Sequence, residues 1–418
     1  MCEAGLKKDF SFCPLCGIQL NGVEASKPQI DRTKYLWERE EKGRFIYKNF
    51  SSIREIGTPH SKKEFVRNEL GDFTHADLFS LHVATLLFNF PLFFTEVFMA
   101  AKLIAHYASD IMLKTTGLDT KVDTINRRGE WWRVFEDKDI SKSIKAIALE
   151  QKLCEIMSID VDKDKKLVRY KLTGVPCSVR TPPPAKQCSL TFFLCGFCES
   201  LFDGQWMGEI TKCESLSKTH CEIDIYLRED KSRDIKQDFL QTISSEIPDL
   251  FEKSREFADE EGSIMINNIK DRKSYRPREK LGDFFHMSVL QCVSFLLIEP
   301  SPGHALLSKH SGIICGERIT EAAGIEGADN ALPYLEDLLL YLKAGILHHE
   351  DKGDRITIKI DESAYASGVE NIHMKLDIFL AGLIEGTLNQ ATGEKWGVDE
   401  TKCLANGDDY CEFRCKQI

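Results

Sequence analysis

Thr401-Lys402-Cys403-Leu404-Ala405-Asn406-Gly407-Asp408-Asp409-Tyr410-Cys411 sets two cysteines seven residues apart near the end of the chain, and Thr211-Lys212-Cys213 through Cys221 repeats the pattern. Upstream, Arg-x-x-Leu-Gly-Asp-Phe-x-His runs from Arg67 to His75 and again from Arg278 to His286. Both ends of a long unit therefore recur in the same order. The simplest account is an internal duplication in which each copy carries a soft-metal candidate near its C-terminus.

The 418 residues suffice for two copies that each bury a core, with no further domain required. The expected division is a cysteine-containing segment at 1–22, a polar connector at 23–66, a divergent copy at 67–229, a charged helical linker at 230–277 and a closer copy at 278–418. A net charge of −11 disfavours a nucleic-acid partner, which needs a basic face. The apolar run Val83 to Ala105 contains Asn89, Pro91, Glu96 and Lys102, so it predicts buried helices broken at Pro91, with no membrane span. The N-terminus lacks an apolar stretch of signal-peptide length, and the expected location is cytoplasmic. There, fifteen cysteines should be reduced thiols or metal ligands.

Periodicity predicts the same order of elements twice. In the first copy, apolar residues at helical spacing (Asp72 to Leu118) precede a strand at Val168 to Leu172, a helix at Ser189 to Phe202 and a hairpin at Glu209 to Leu227. In the second, helices at Phe284 to Ala323 and Leu332 to Ile346 precede a strand at Arg355 to Asp361, a helix at His373 to Gln390 and a hairpin at Lys395 to Cys415. Near the start, Cys13-Pro-Leu-Cys16-Gly17 has the form of one zinc knuckle, half of a four-ligand site. Cys2, Cys195 with Cys198, or a partner chain could complete it; an unmetallated turn is the other reading.

With Gly407 midway between Cys403 and Cys411, a symmetric hairpin would place the two thiols opposite each other, close enough to share a metal ion or to crosslink. A reducing compartment favours the metal. At this point the chain resembles the vinyl-4-reductase domain family, whose C-terminal signature is a Gly-x-x-x-Gly helix, a later Gly, then Glu-x-x-Cys-x7-Cys. Gly382, Gly386 and Gly393 match the glycines, and Glu400, Cys403 and Cys411 match the acidic residue and the cysteines. The resemblance spans roughly Leu281 to Cys415 closely and Leu70 to Tyr226 loosely. It implies an α+β fold, two tandem domains of helices packed on an antiparallel sheet, a pocket for an apolar, aromatic or tetrapyrrole-like small molecule, and structural zinc.

Two departures shape the metal expectation. Asp377 stands where zinc-bearing relatives have a further cysteine, leaving Asp377, Glu400, Cys403 and Cys411 as an O2S2 set, weaker than a thiolate-rich one. Glu400 and Cys403, three apart, would point to opposite faces of an ideal strand, so both can bind one ion only if a bulge intervenes. In the first copy Cys188, Cys213 and Cys221 supply three thiols, but Ile210 replaces the acidic residue and Glu209 is one position off. Either set could equally be buried cysteines serving as small hydrophobes.

The remaining candidates have plain alternatives. Cys195 and Cys198 fall in an apolar helix beside Gly196 and are expected in the core. His75 and His286 could reach a ligand or serve as helix caps, and Asp72 and Asp283 are expected to be N-caps. Trp206 and Trp396 would wall a pocket or cover the hairpin, while adjacent His348 and His349 suit two faces of one element. The sequence has no Walker motif, dinucleotide fingerprint or nucleophile elbow. That favours a small-molecule sensor or carrier over two alternatives: an enzyme or enzyme accessory of tetrapyrrole or related cofactor metabolism, and a scaffold of the tethering-complex kind. A homodimer or another protein partner is compatible with each.

Overall fold

The computed structural model describes residues 66–418, apart from 91–96, 176–188, 214–218, 229–259 and shorter gaps. Cys2, Cys13, Cys16 and Cys188 lie outside the described residues. The fold is α+β and built twice. In the first half, helices α3 (Asp119–Arg127), α4 (Arg133–Glu136), α5 (Lys138–Glu150) and α6 (Ser189–Leu201) accompany strands β2 (Glu155–Asp162), β3 (Leu167–Thr173), β4 (Trp206–Lys212) and β5 (Cys221–Leu227). The second half has α7 (Met287–Ile298), α8 (Pro302–Ala323), α9 (Ala328–Tyr341) and α10 (Ile378–Thr392), with β7 (Ile346–Asp351), β8 (Arg355–Asp361), β9 (Trp396–Lys402) and β10 (Cys411–Gln417). The two antiparallel sheets have orders β2-β3-β5-β4 and β7-β8-β10-β9, the same topology. Among the described residues no helix is long and apolar enough to cross a membrane.

Alternation explains the sheets. Ile356, Ile358 and Ile360 of β8 all face inward and are buried, while Arg355, Thr357 and Lys359 face the other way. Against that inner face lies α10, apolar on nearly every side because α8 covers its back. The two helices approach until backbones touch: a Cβ added at Gly382 would sit 1.9 Å from the Lys309 carbonyl oxygen, and one at Gly386 2.0 Å from that of Ile313. Gly312 and Gly316 of α8 make the reciprocal approach. In the first half Gly196 does the same against Lys102, and Cys195 and Cys198 are core residues beside it, as expected. Burial pushes the Cys198 thiol up to about 12, where it is inert.

The halves exchange their leading segments. Strand β1 (Phe73–His75) pairs with β6 (Phe284–His286) in a symmetric antiparallel register, Phe73 to His286, Thr74 to Phe285 and His75 to Phe284. Each arm then reaches across. Buried Arg67 donates to its own loop (Gly71 O, 2.7 Å; Phe73 O, 2.8 Å) and to Lys343 O (2.8 Å) and Glu362 O (3.2 Å) of the second half. Arg278 donates to Gly174 O at 2.8 Å and to Lys152 O in the first half. The side chains of α1 (Ala76–Phe79), the π-turn Ser80–Ala84 and α2 (Thr85–Asn89) join the core that also holds α10, whereas the first half's sheet has a separate core beginning at Ala105. A boundary at residue 67 thus begins the chain segment but not the packing unit. At the far end of the expected linker, Met265, Ile266, Ile269 and Tyr275 are also buried in the second core.

Asp72 and Asp283 are not N-caps. Their carboxylates accept the backbone N–H groups of Arg67 (3.1 Å) and Arg278 (2.8 Å), closing the turn that aims each arginine. The histidines take the caps instead: His75 Nδ1 accepts from Asp77 N–H and His286 Nδ1 from Ser288 N–H, both at 3.2 Å. A carboxylate placed to close the preceding loop leaves the N-cap position to the residue that ends the strand.

Asp77 is 2% exposed and accepts the Tyr275 N–H (3.1 and 3.2 Å), with His75, Asp283 and Tyr341 around it. Burial raises its carboxyl from 3.8 to about 7 and depresses His75 to about 4, so the two are mainly uncharged below neutrality. The folded state then holds a proton that the unfolded chain releases between about pH 4 and 7, and stability falls as pH rises through that window. Asp77→Asn should flatten this part of the profile and add on the order of 2–4 kcal/mol near pH 8. Urea unfolding of both proteins across pH 4–8 checks it; parallel profiles would remove Asp77 from the account.

Candidate metal centre

Asp377, Glu400, Cys403 and Cys411 come together under the second sheet, each buried, with one ligand atom apiece lying within 4.8 Å of all the others. Among the described residues no other such group of three or more forms. Asp377 is the N-cap residue of α10 yet makes no capping bond; its carboxylate turns toward the hairpin, accepts from Ser363 Oγ and lies 3.8 Å from Cys403 Sγ. The close α8–α10 crossing fixes where that helix begins, and so fixes Asp377.

The bulge required by the spacing is present. Phe413 pairs with Glu400 and Glu412 with Lys402, leaving Thr401 as the extra residue on β9. Glu400 and Cys403 are consequently both buried, and Thr401 and Lys402 are only half-buried between them. The turn itself is not the expected symmetric hairpin. Leu404–Asn406 forms a 3-10 turn ending in Gly407 with φ 91°, Asp408 accepts the Cys403 N–H at 2.9 Å, and the Leu404 N–H points at Cys411 Sγ at 3.4 Å. These bonds let the thiols converge with Cys403 off the regular ladder.

Electrostatically the cluster is unbalanced. Burial lifts Asp377 to about 8 and holds Glu400 well above the carboxylate range. Cys411, facing Cys403, keeps its proton far above the ordinary thiol value, while that same contact lowers Cys403 to about 6. Both Glu400 carboxylate oxygens are buried without a hydrogen-bond partner. Four acidic groups, two of their oxygens orphaned, are the donor chemistry a divalent cation satisfies. Ser363, fourteen residues before Asp377, and Lys375, whose ammonium donates to the Glu400 carbonyl, escape a reading of the sequence because no local spacing ties them to the ligand set.

The first half does not repeat the cluster. Its β4 carries the same bulge, at Thr211, but Ile210 occupies the place of Glu400, in register with Ile223. Glu209 pairs with Asp224 one position away on the alternating strand, so it faces the other side of the sheet from Ile210. Cys221 is buried and Cys213 half-buried at the strand ends. Trp206 and Trp396 cover the helix–hairpin corner: Trp396 Nε1 donates to Thr392 Oγ1 at 3.0 Å, and Trp206 packs on Trp131 and Phe202. His75 and His286 are in the arms, away from the cluster.

Residues 356–417 match the family model of the vinyl-4-reductase domain. The chain carries a vinyl-4-reductase domain. The matched stretch contains all four clustered residues. An uncharacterised protein of Methanocaldococcus jannaschii is 29% identical over 154 residues, 36% of this chain and 84% of the relative. Among solved structures, a vinyl-4-reductase family protein of the same organism is 18% identical, covering 39% of this chain and 94% of its own, with a TM-score of 0.27. The phenol-responsive sensory domain of the transcription activator PoxR, solved with phenol, is 15% identical, covering 36% and 88%, with a TM-score of 0.29.

Proposed function

We propose that the protein is a small-molecule sensor or carrier, cytoplasmic, whose vinyl-4-reductase domain is pinned by structural zinc at Asp377, Glu400, Cys403 and Cys411. The observation that carries the metal reading is the closed geometry of the cluster: none of the four residues is more than 7% exposed. An enzyme would need a metal position open to water and substrate, whereas four buried protein ligands lend rigidity. When bound, the ion would supply the charge that lets the carboxylates and thiolates coexist and would tie the start of α10 to the β9–β10 hairpin. The ligand reading rests on the matched domain and on the family resemblance, which point to an apolar or aromatic molecule, tetrapyrrole-like compounds included. The first half, with the same sheet topology but Ile210 in the acidic position, is in this reading a second copy of the domain without an equivalent O2S2 centre.

Elemental analysis and native mass spectrometry of the gently purified full chain test both parts. Zinc content should fall by one equivalent per chain in Cys403→Ser/Cys411→Ser, and the intact mass should reveal a retained organic molecule. A second reading, a ligand-free scaffold, is favoured by one observation, the exchange of arms that fuses the halves. Wild-type protein that is folded, metal-free and empty would select it.

A further inference from the structure

Helices α5 and α9 occupy equivalent positions in the two halves. Lys152 N–H closes α5 onto Leu149 O at 2.9 Å, and Lys343 N–H closes α9 onto Leu340 O at 3.0 Å; the next bonds, Leu153 to Ala148 and Ala344 to Leu339, correspond as well. Lys138, Lys142, Lys145 and Leu149 of α5 therefore superpose in sequence on Asp329, Pro333, Glu336 and Leu340 of α9. Both sets follow i, i+4, i+7, i+11 spacing and form one stripe along their helix.

The two stripes are opposite in charge. On α5, the three lysines border a groove of about 480 Å³ whose apolar wall comes from Phe135 and Leu149, with Glu136 its one acidic lining residue. Nearby Asp137 and Asp139 are already engaged by Lys121 at 2.7 and 3.0 Å. On α9, Asp329 and Glu336 are exposed, flanked by exposed Glu326 and by Asp337, which pairs with Arg272. Each stripe also ends in an exposed leucine, Leu149 at 50% and Leu340 at 41%. Two halves solvated independently have no need to place a large apolar side chain at the same point of helices carrying opposite charge.

We propose that these surfaces are the two sides of one interface between copies of this chain, the acidic stripe of α9 docking on the basic groove of α5 with Leu340 entering the apolar wall. Like stripes repel, so the contact is between unlike halves. It is a heterologous contact, which either closes a ring or dimer or continues into a longer assembly.

Sedimentation velocity of the full chain over a concentration series, in low and high salt, tests this. Wild type should self-associate in low salt and weaken on the order of tenfold or more as salt screens the stripes. Lys138→Glu/Lys142→Glu/Lys145→Glu and Asp329→Lys/Glu336→Lys should each stay single, and mixing the two should restore association, because each then offers the charge the other lacks. Circular dichroism identical to wild type confirms that the exposed substitutions leave the fold intact. A wild-type chain that remains single in low salt overturns the proposal, as does association that survives either charge reversal or variants that fail to pair when mixed.

Discussion

Arg67→Ala should destabilise the protein by about 3–5 kcal/mol, a loss larger than any surface substitution produces. The guanidinium is fully buried and its donors go to four carbonyls, two in its own loop and two, Lys343 and Glu362, in the opposite half. Alanine deletes charge-assisted bonds of roughly 1.5–3 kcal/mol each and leaves those carbonyls to whatever water can enter. Arg67→Lys should rescue little, since a single ammonium cannot reproduce the planar fork that meets acceptors on several sides. Arg414, 63% exposed, is the control and should cost near zero on replacement. Denaturant unfolding decides the matter: if Arg67→Ala and Arg278→Ala each cost less than about 1 kcal/mol, the arms are ornaments on halves that stand alone.

Gly386→Ala should be comparably damaging although it adds a single methyl group. That methyl would lie 2.0 Å from the Ile313 carbonyl oxygen, a backbone atom that moves only if α8 moves. Overpacking of this kind typically costs about 1–3 kcal/mol, and here the shift would propagate to Asp377 at the start of the same helix, so about 3 kcal/mol with weakened metal retention is the expected result. Gly393→Ala, in open space at φ 70°, should cost only about 1 kcal/mol and leave metal binding unchanged. Thermal unfolding combined with metal content distinguishes the two. Equal effects at both glycines would mean that helix separation does not govern the site.

Much of this is legible because it is written locally. The duplicated hairpin and arm motifs announce two halves, β8 alternates so cleanly that its ends can be read to the residue, and the Glu400–Cys403 spacing demands the bulge that Thr401 supplies. Strands β2 and β7 escape the pattern. Val161 and Ile159 of β2 are only partly covered, and the exposed β7 run His348-His349-Glu350-Asp351 offers no apolar alternation, since both are edge strands with little core to face. The exchange of arms is invisible for a different reason. Helical spacing from Ala76 onward says that a face is buried but not which half buries it; only the carbonyls at Lys343 and Glu362, presented far along the chain, decide that. Glu209 fails as a ligand because a one-residue offset on a strand reverses the side, and Ile210 has already taken the inward place.

The crossing of the arms also restricts how this gene product can change. A segment that caps the opposite half must remain matched to a surface encoded in a distant stretch of the same gene, so drift in either partner is checked by the other. Cutting the chain between the halves would not release two small proteins but two incomplete ones, each missing a lid held by its sibling. The cysteines, which belong wholly to their own half, are under no such mutual obligation, and it is there that the two copies have parted company.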